Sequence, residues 1–171
     1  MPIFTPVAHD EVVAAVRQLA DAIAGDGWRP DVIVGIGRGG LVPAVFLSHA
    51  IGAPMQSVDW SGGEPAVTDL ALARLAGRTR AGGRLLVVDD INDSGRTIAQ
   101  LRGALAAAGA RGNGVRFATL IDNVASAERV DYRARSIDRR VTKDWFVFPW
   151  EAVAPAESIA ADAAEVPERI G

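Results

Sequence analysis

VVDDINDSGRT, residues 87–97, closes an apolar run with two adjacent carboxylates, Asp89 and Asp90, and adds a third at Asp93. It then passes into small, hydroxyl-bearing residues that open a helical pattern. A buried strand that feeds a helix in this way puts the turn at the edge of a sheet where α/β proteins bind their ligands. Ser94, Gly95, Arg96 and Thr97 offer successive backbone N–H groups and two hydroxyls, a cradle suited to a terminal phosphate monoester at a helix N-terminus. The carboxylates cannot serve that phosphate, because like charges repel. They need a different partner: the cis-diol of a sugar, or a hard cation such as Mg²⁺ held by Asp89 and Asp90 directly or through water. The segment implies a phosphorylated ribose together with a metal.

A second anion turn precedes it. In VIVGIGRGGLVP, residues 32–43, a β-branched strand runs into four glycines and then a helix with Pro43 in its first turn. Gly35, Gly37 and Gly40 satisfy G-x-G-x-x-G, and Asp59 lies close to where a ribose-binding acid would follow, so a dinucleotide site is one reading. Arg38 argues for a more highly charged ligand, since a dinucleotide turn relies on glycine and a helix dipole, not on a guanidinium inside the turn.

The rest of the chain supplies the frame for these two turns. Val12, Val16, Leu19, Ala20 and Ile23 keep helical spacing over residues 10–24, with Asp10 as expected N-cap and Gly25 as stop. MQSVDW (55–60), RLLVVDD (84–90), VRFATLI (115–121) and WFVFPW (145–150) read as strands. Residues 41–52, 96–110 and 155–166 read as helices. Residues 61–83 begin and end in glycines and carry Arg74, Arg78 and Arg80, and are expected to be in part a mobile loop. Strands alternating with helices predict an open, mainly parallel, twisted α/β sheet flanked by helices, in a single domain over residues 1–171.

Composition narrows the function classes. Of the 171 residues, 49% are hydrophobic and 23% charged, as in an ordinary globular domain, and the formal charge of −3 gives no general attraction to nucleic acid or to an anionic membrane. Anion binding must then be local to the loops. Cysteine is absent, and His9 and His49 lack paired ligand spacing, which excludes disulfides, thiol catalysis and Cys-ligated zinc. There is no basic and apolar leader and no run long enough for a membrane span, so a cytoplasmic protein is expected.

Residues 87–97 resemble the 5-phosphoribosyl-1-pyrophosphate (PRPP) motif of the type I phosphoribosyltransferases: an apolar strand, two acids, then a D-[ST]-G-x-T loop. GRGGLVPA (37–44), DY (131–132) and WFVFPWE (145–151) are similar to the xanthine–guanine branch of that family. The resemblance runs over about residues 32–151. It implies a type I phosphoribosyltransferase fold, with a core over about residues 28–124 and a small C-terminal base-binding hood over about 129–151. The partners it implies are PRPP and a nitrogenous base, with Mg²⁺ as cofactor and a homo-oligomer, dimer or tetramer, as the assembly. Two other readings stand beside it. RLLVVDD also resembles the opening of a response-regulator receiver domain, although the acid pair lies past the midpoint of the chain and a receiver begins near its N-terminus. A catalytically silent, nucleotide-binding regulator would carry the same loops.

The resemblance also implies roles. Arg38, Gly39 and Gly40 would hold the pyrophosphate; Ser94, Gly95, Arg96 and Thr97 the 5-phosphate; Asp89 and Asp90 the ribose hydroxyls and Mg²⁺. Asp93 would accept from the N7–H of the base and act as general base, while also serving as N-cap of the following helix. Trp145 would stack on the base and Phe146 supply backbone groups to its edge, with Glu151 a candidate second metal ligand. Arg129, Arg133, Arg135, Arg139 and Arg140 read most simply as a solvated edge. One position departs from the family: FATLIDNVAS (117–126) puts Asn123 where 6-oxopurine enzymes have a lysine for the exocyclic O6. An amide both donates and accepts, so the preference for a 6-oxopurine such as xanthine, guanine or hypoxanthine competes with an amino-bearing or unusual heterocycle. On this alignment Asn123→Lys would raise the preference for oxopurines over adenine.

Overall fold

A computed structural model describes residues 3–60 and 65–164. Five strands form one parallel sheet in the order β3-β2-β4-β5-β6: β2 is Val32–Ile36, β3 Met55–Val58, β4 Leu85–Asn92, β5 Val115–Asn123 and β6 Tyr132–Ile137. Helices α1 (His9–Gly25), α2 (Leu41–Ile51), α3 (Pro65–Arg80), α4 (Arg96–Ala107) and α5 (Ala156–Ala164) complete the main elements. Strands covered on both faces must be apolar on both faces, and β2 is buried at every position. Its side chains divide by the period of two. Ile33 joins Leu86 and Val88 of β4 against Val16 and Leu19 of α1 and Leu47 of α2. Val32, Val34 and Ile36 join Leu85 and Val87 against Leu72 and Leu75 of α3 and Ile98 and Leu101 of α4.

This order creates the site. From β2 the chain runs outward to β3, then crosses to β4 on the other side of β2, so a crevice opens above the carboxyl ends of β2 and β4. The register pairs Gly35 with Val88, which brings the glycine turn and the acid turn to the same end of adjacent strands.

Several expectations are corrected. The chain over 65–80 is a helix, its Leu72, Leu75 and Ala76 buried at helical spacing, so the glycines that suggested a mobile loop only flank it; residues 61–64 lie outside the described residues. Arg80 donates from Nη1 to the carbonyls of Ala108 (2.8 Å) and Gly109 (3.2 Å), where it caps the end of α4. Helix α1 starts one residue before Asp10, with the Glu11 carboxylate accepting the Ala8 N–H at 2.8 Å. The arginine-rich stretch is a solvated edge at Arg129, Arg133, Arg135 and Arg140, all exposed, and includes β6, the edge strand of the main sheet, although that strand falls within 129–151. Asp131 Oδ2 accepts the Phe117 N–H at 2.8 Å and the buried Tyr132 donates its hydroxyl to Asp26. The C-terminal strand β7 (Trp145–Val147) pairs instead with an N-terminal strand, β1 (Phe4–Pro6), in a separate two-stranded parallel sheet.

Candidate active site

The glycine turn and the acid turn touch. A Cβ built on Gly39 would lie 2.5 Å from Asp90 Oδ2, and one on Gly40 would lie 2.1 Å from the Val88 carbonyl oxygen. Only chain without a side chain can run this close to the end of β4. Arg38 projects from the turn as an exposed guanidinium.

Asp89 and Asp90 follow the fully buried run Leu85–Val88 of β4 and are half-buried at the crevice. Asp89 is pushed well above the usual carboxylate range by burial first and by the charge of Asp90 second. Asp90 is raised to about 6, again by burial first and then by the charge of Glu151. Each accepts one local backbone N–H, Asp89 Oδ1 from Asp90 (3.0 Å) and Asp90 Oδ1 from Ile91 (2.7 Å). Glu151, raised by its own burial and drawn down by Arg38, accepts the Phe148 N–H at 2.9 Å. Two crowded, oxygen-only ligands with destabilised charge fit a hard divalent cation, which binds through one or two carboxylates plus substrate oxygens. Among the described residues no cluster of three His, Cys, Asp or Glu could hold a metal without such help.

The turn between β4 and α4 has a left-handed Gly95 (φ 89°), whose Cβ would strike the Glu128 nitrogen at 2.7 Å and Ser126 Oγ at 2.8 Å. Ser94, exposed, accepts the Arg96 N–H at 3.3 Å, so the hydroxyl of Ser94 serves the start of α4, and Asp93 is not its N-cap. Arg96 is exposed and Thr97 half-buried at the same helix end. Asp93 turns the other way: its Oδ1 accepts from Arg139 Nε at 2.9 Å.

Asn123 is 5% exposed, and its amide is committed to backbone. Nδ2 donates to the Asp93 carbonyl (3.0 Å), while Oδ1 accepts the N–H groups of Ala125 (3.1 Å) and Arg139 (3.1 Å). Both lone-pair sites of the oxygen are occupied and the side chain latches three loops together, so the second Nδ2 hydrogen is what the amide has left to offer a base in the cavity it lines. Asn123→Ala is therefore expected to lower stability by about 1–3 kcal/mol through the orphaned, buried Arg139 N–H and the lost partner of the Asp93 carbonyl, read as a drop in denaturant midpoint. Asn123→Lys should destabilise too, because an ammonium cannot accept either N–H. A second latch joins β4 to β5, where Asn92 Nδ2 donates to Asp122 Oδ1 (2.8 Å) and the Glu128 carbonyl (2.9 Å).

Trp145 is half-buried and Phe146 buried, the latter under the guanidinium of Arg139 at 5.3 Å from ring centroid. Trp150 stacks on Phe148, ring centroids 4.7 Å apart. The buried residue beside Asp93 that sequence reading missed is Arg139. Grouped with a solvated edge, it is 7% exposed and joined to Asp93. Nothing local in the sequence marks it: in the structure the neighbouring Asp138 carboxylate pairs with Arg140, and the acid that meets Arg139 is 46 positions away.

A family model described as a phosphoribosyl transferase domain matches residues 7–155. Among curated proteins, the chain is 30% identical over 157 residues to a xanthine-guanine phosphoribosyltransferase of Cereibacter sphaeroides, covering 85% of each chain. Among solved structures it resembles a purine phosphoribosyltransferase from Pyrococcus horikoshii, with a TM-score of 0.66, 26% identity and coverage of 88% of this chain and 96% of that one. It shares its fold with a xanthine-guanine-hypoxanthine phosphoribosyltransferase of Helicobacter pylori, with a TM-score of 0.65, 18% identity and coverage of 87% and 94%. Among the described residues, no helix is long and apolar enough to cross a membrane.

Proposed function

The chain belongs to the type I phosphoribosyltransferase family, and from that premise we propose that it transfers the 5-phosphoribosyl group of PRPP to a purine base, preferring a 6-oxopurine such as xanthine, guanine or hypoxanthine. The products would be a nucleoside monophosphate and pyrophosphate, the chemistry of purine salvage. The observation that carries the reading is the contact of the two anion turns, Gly39 against the Asp90 carboxylate, at the crevice between β2 and β4. Such a crevice suits a ligand with a phosphate at one end, a charged leaving group at the other and hydroxyls between. The similarity to a xanthine-guanine enzyme and to a purine enzyme supports the base class.

In this reading Ser94, Thr97 and the first-turn N–H groups of α4 receive the 5-phosphate, and Arg38 with the 37–40 turn receives the pyrophosphate. Asp89 and Asp90 take the ribose hydroxyls and would hold Mg²⁺, which when bound neutralises charge on the departing pyrophosphate. The bond from ribose C1 to pyrophosphate oxygen breaks while a bond from C1 to a base nitrogen forms. Asp93 fixes the base by accepting its N7–H and takes up the proton the base releases, and Trp145 covers the ring face. The protein's contribution is orientation and charge placement.

Calorimetric titration with PRPP tests the site. Saturable binding that weakens at least about tenfold when Mg²⁺ is withheld is expected, since the acids then repel the ligand. Binding of NAD without any response to PRPP would restore the dinucleotide reading of the glycine turn.

A further inference from the structure

Arg139 is buried, and only part of its guanidinium is satisfied. Nε donates to Asp93, and Nη1 donates to the carbonyls of Thr142 (3.2 Å) and Asp144 (2.6 Å). Nη2 is shut off from solvent and meets no acceptor among the described residues. A guanidinium cannot shed its charge to relieve this, and a buried donor left empty is destabilising unless a ligand fills it. Arg139 also lines a cavity of about 380 Å³ with Ser94, Asn123, Ala125, Ala127 and Lys143, so the residue stands beside Ser94 of the turn assigned to the phosphate.

Nη2 shares one edge of the guanidinium with Nε, which holds Asp93. The pair thus presents a carboxylate acceptor next to a fixed donor, and its complement is a ligand edge with a donor next to an acceptor. A 6-oxopurine carries that edge as N7–H beside O6. Adenine offers two donors there, N7–H beside N6–H₂, and would set its amino group against Nη2. We propose that Arg139 is the base-selecting residue of this protein, donating from Nη2 to the oxo group of a purine whose N7–H is held by Asp93. The assignment rests on the transferase reading above. It also gives Asn123 a purpose: by binding the Asp93 carbonyl and the Arg139 N–H together, the amide fixes acid and guanidinium side by side. Selection then comes from the end of β6 and not from the end of β5.

The test compares kcat/KM at saturating PRPP for hypoxanthine, adenine and unsubstituted purine, which lacks any group at C6. The intact protein should favour hypoxanthine over purine by roughly ten- to a hundredfold, the range of one charged hydrogen bond. In Arg139→Met that preference should shrink to within about threefold, mainly through loss on hypoxanthine. Equal losses on all three bases would mean that Arg139 only supports the loop, and unchanged ratios would mean that it does not meet the base; either overturns the assignment. If Arg139→Met fails to fold, Arg139→Lys keeps a cation for Asp93 without the second fork nitrogen and should still narrow the preference about threefold or more; an unchanged preference again overturns it. Wild-type protein that turns over no base defeats the transferase reading itself, a result separable from turnover of all three bases at similar rates, which defeats only the selection by Arg139.

Discussion

Gly40→Ala is expected to destabilise the protein by about 3 kcal/mol or more, a fall of roughly 6–12 °C in melting temperature for a chain of this size. Gly40 has an ordinary helical backbone, φ −79° and ψ −13°, so the effect owes nothing to left-handed geometry. It is a matter of contact. The added Cβ would meet the Val88 carbonyl oxygen at 2.1 Å, the Ile36 nitrogen at 2.7 Å and the Ile36 oxygen at 2.9 Å, all backbone atoms of the two central strands. No side chain can swing aside, so either β2 and β4 part or the turn lifts from the sheet. Gly39→Ala makes the contrast. Its new methyl group would face the Asp90 carboxylate at 2.5 Å, and a side chain can rotate where a strand cannot. Chemical denaturation should show Gly39→Ala within about 1 kcal/mol of wild type while its turnover falls with the displaced acid. A Gly40→Ala midpoint equal to wild type would mean that the two turns are not packed as described.

Asp90→Asn is expected to do two opposite things: to stabilise the metal-free protein and to lower kcat/KM by about 10²–10³-fold. Burial and the nearby Glu151 hold the Asp90 carboxyl at about 6, above its value in the unfolded chain. The native state therefore binds a proton more readily than the unfolded state between about pH 4 and pH 6, and this favourable contribution is full at low pH and lost as pH rises through 6. An amide does not titrate. The variant's advantage in unfolding free energy should accordingly be small near pH 4, grow through pH 6 and stay level above it, reaching about 1–3 kcal/mol. The same charge that strains the fold would hold the ribose and the cation, which is why relieving it should remove activity. A variant no more stable than wild type at pH 8 would show that the acid already has a stabilising partner in the free protein.

The central strands and the two strand-to-helix turns, 37–40 and 93–95, were legible in the sequence because each rests on a local rule. Strands covered on both faces read as unbroken runs such as LLVV, and glycine with hydroxyl residues directly after such a run marks a strand-to-helix turn. What stayed hidden depends on partners far along the chain. Over 65–80 the glycines on either side outweighed a helical spacing of leucines that only packing against α4 reveals. Strand β1 has three residues and exists because β7 lies beside it. In β6, Tyr132 is buried with Ala134 packed on the same core while the exposed Arg133 and Arg135 line the other face, an edge-strand pattern easily taken for a solvated charge run. Asn123 and Arg139 were the hardest. An amide 16 positions before an arginine says nothing of the hydrogen bond that joins them, and one arginine among five carries no mark of burial.

Release of pyrophosphate from PRPP, followed with Mg²⁺ present over a panel of purine and pyrimidine bases, tests the proposed activity most directly. The expected result is base-dependent release, fastest with a 6-oxopurine and matched mole for mole by a nucleoside monophosphate. PRPP or nucleotide that binds, with no pyrophosphate formed from any base, would contradict it and leave a binding protein built on a transferase fold.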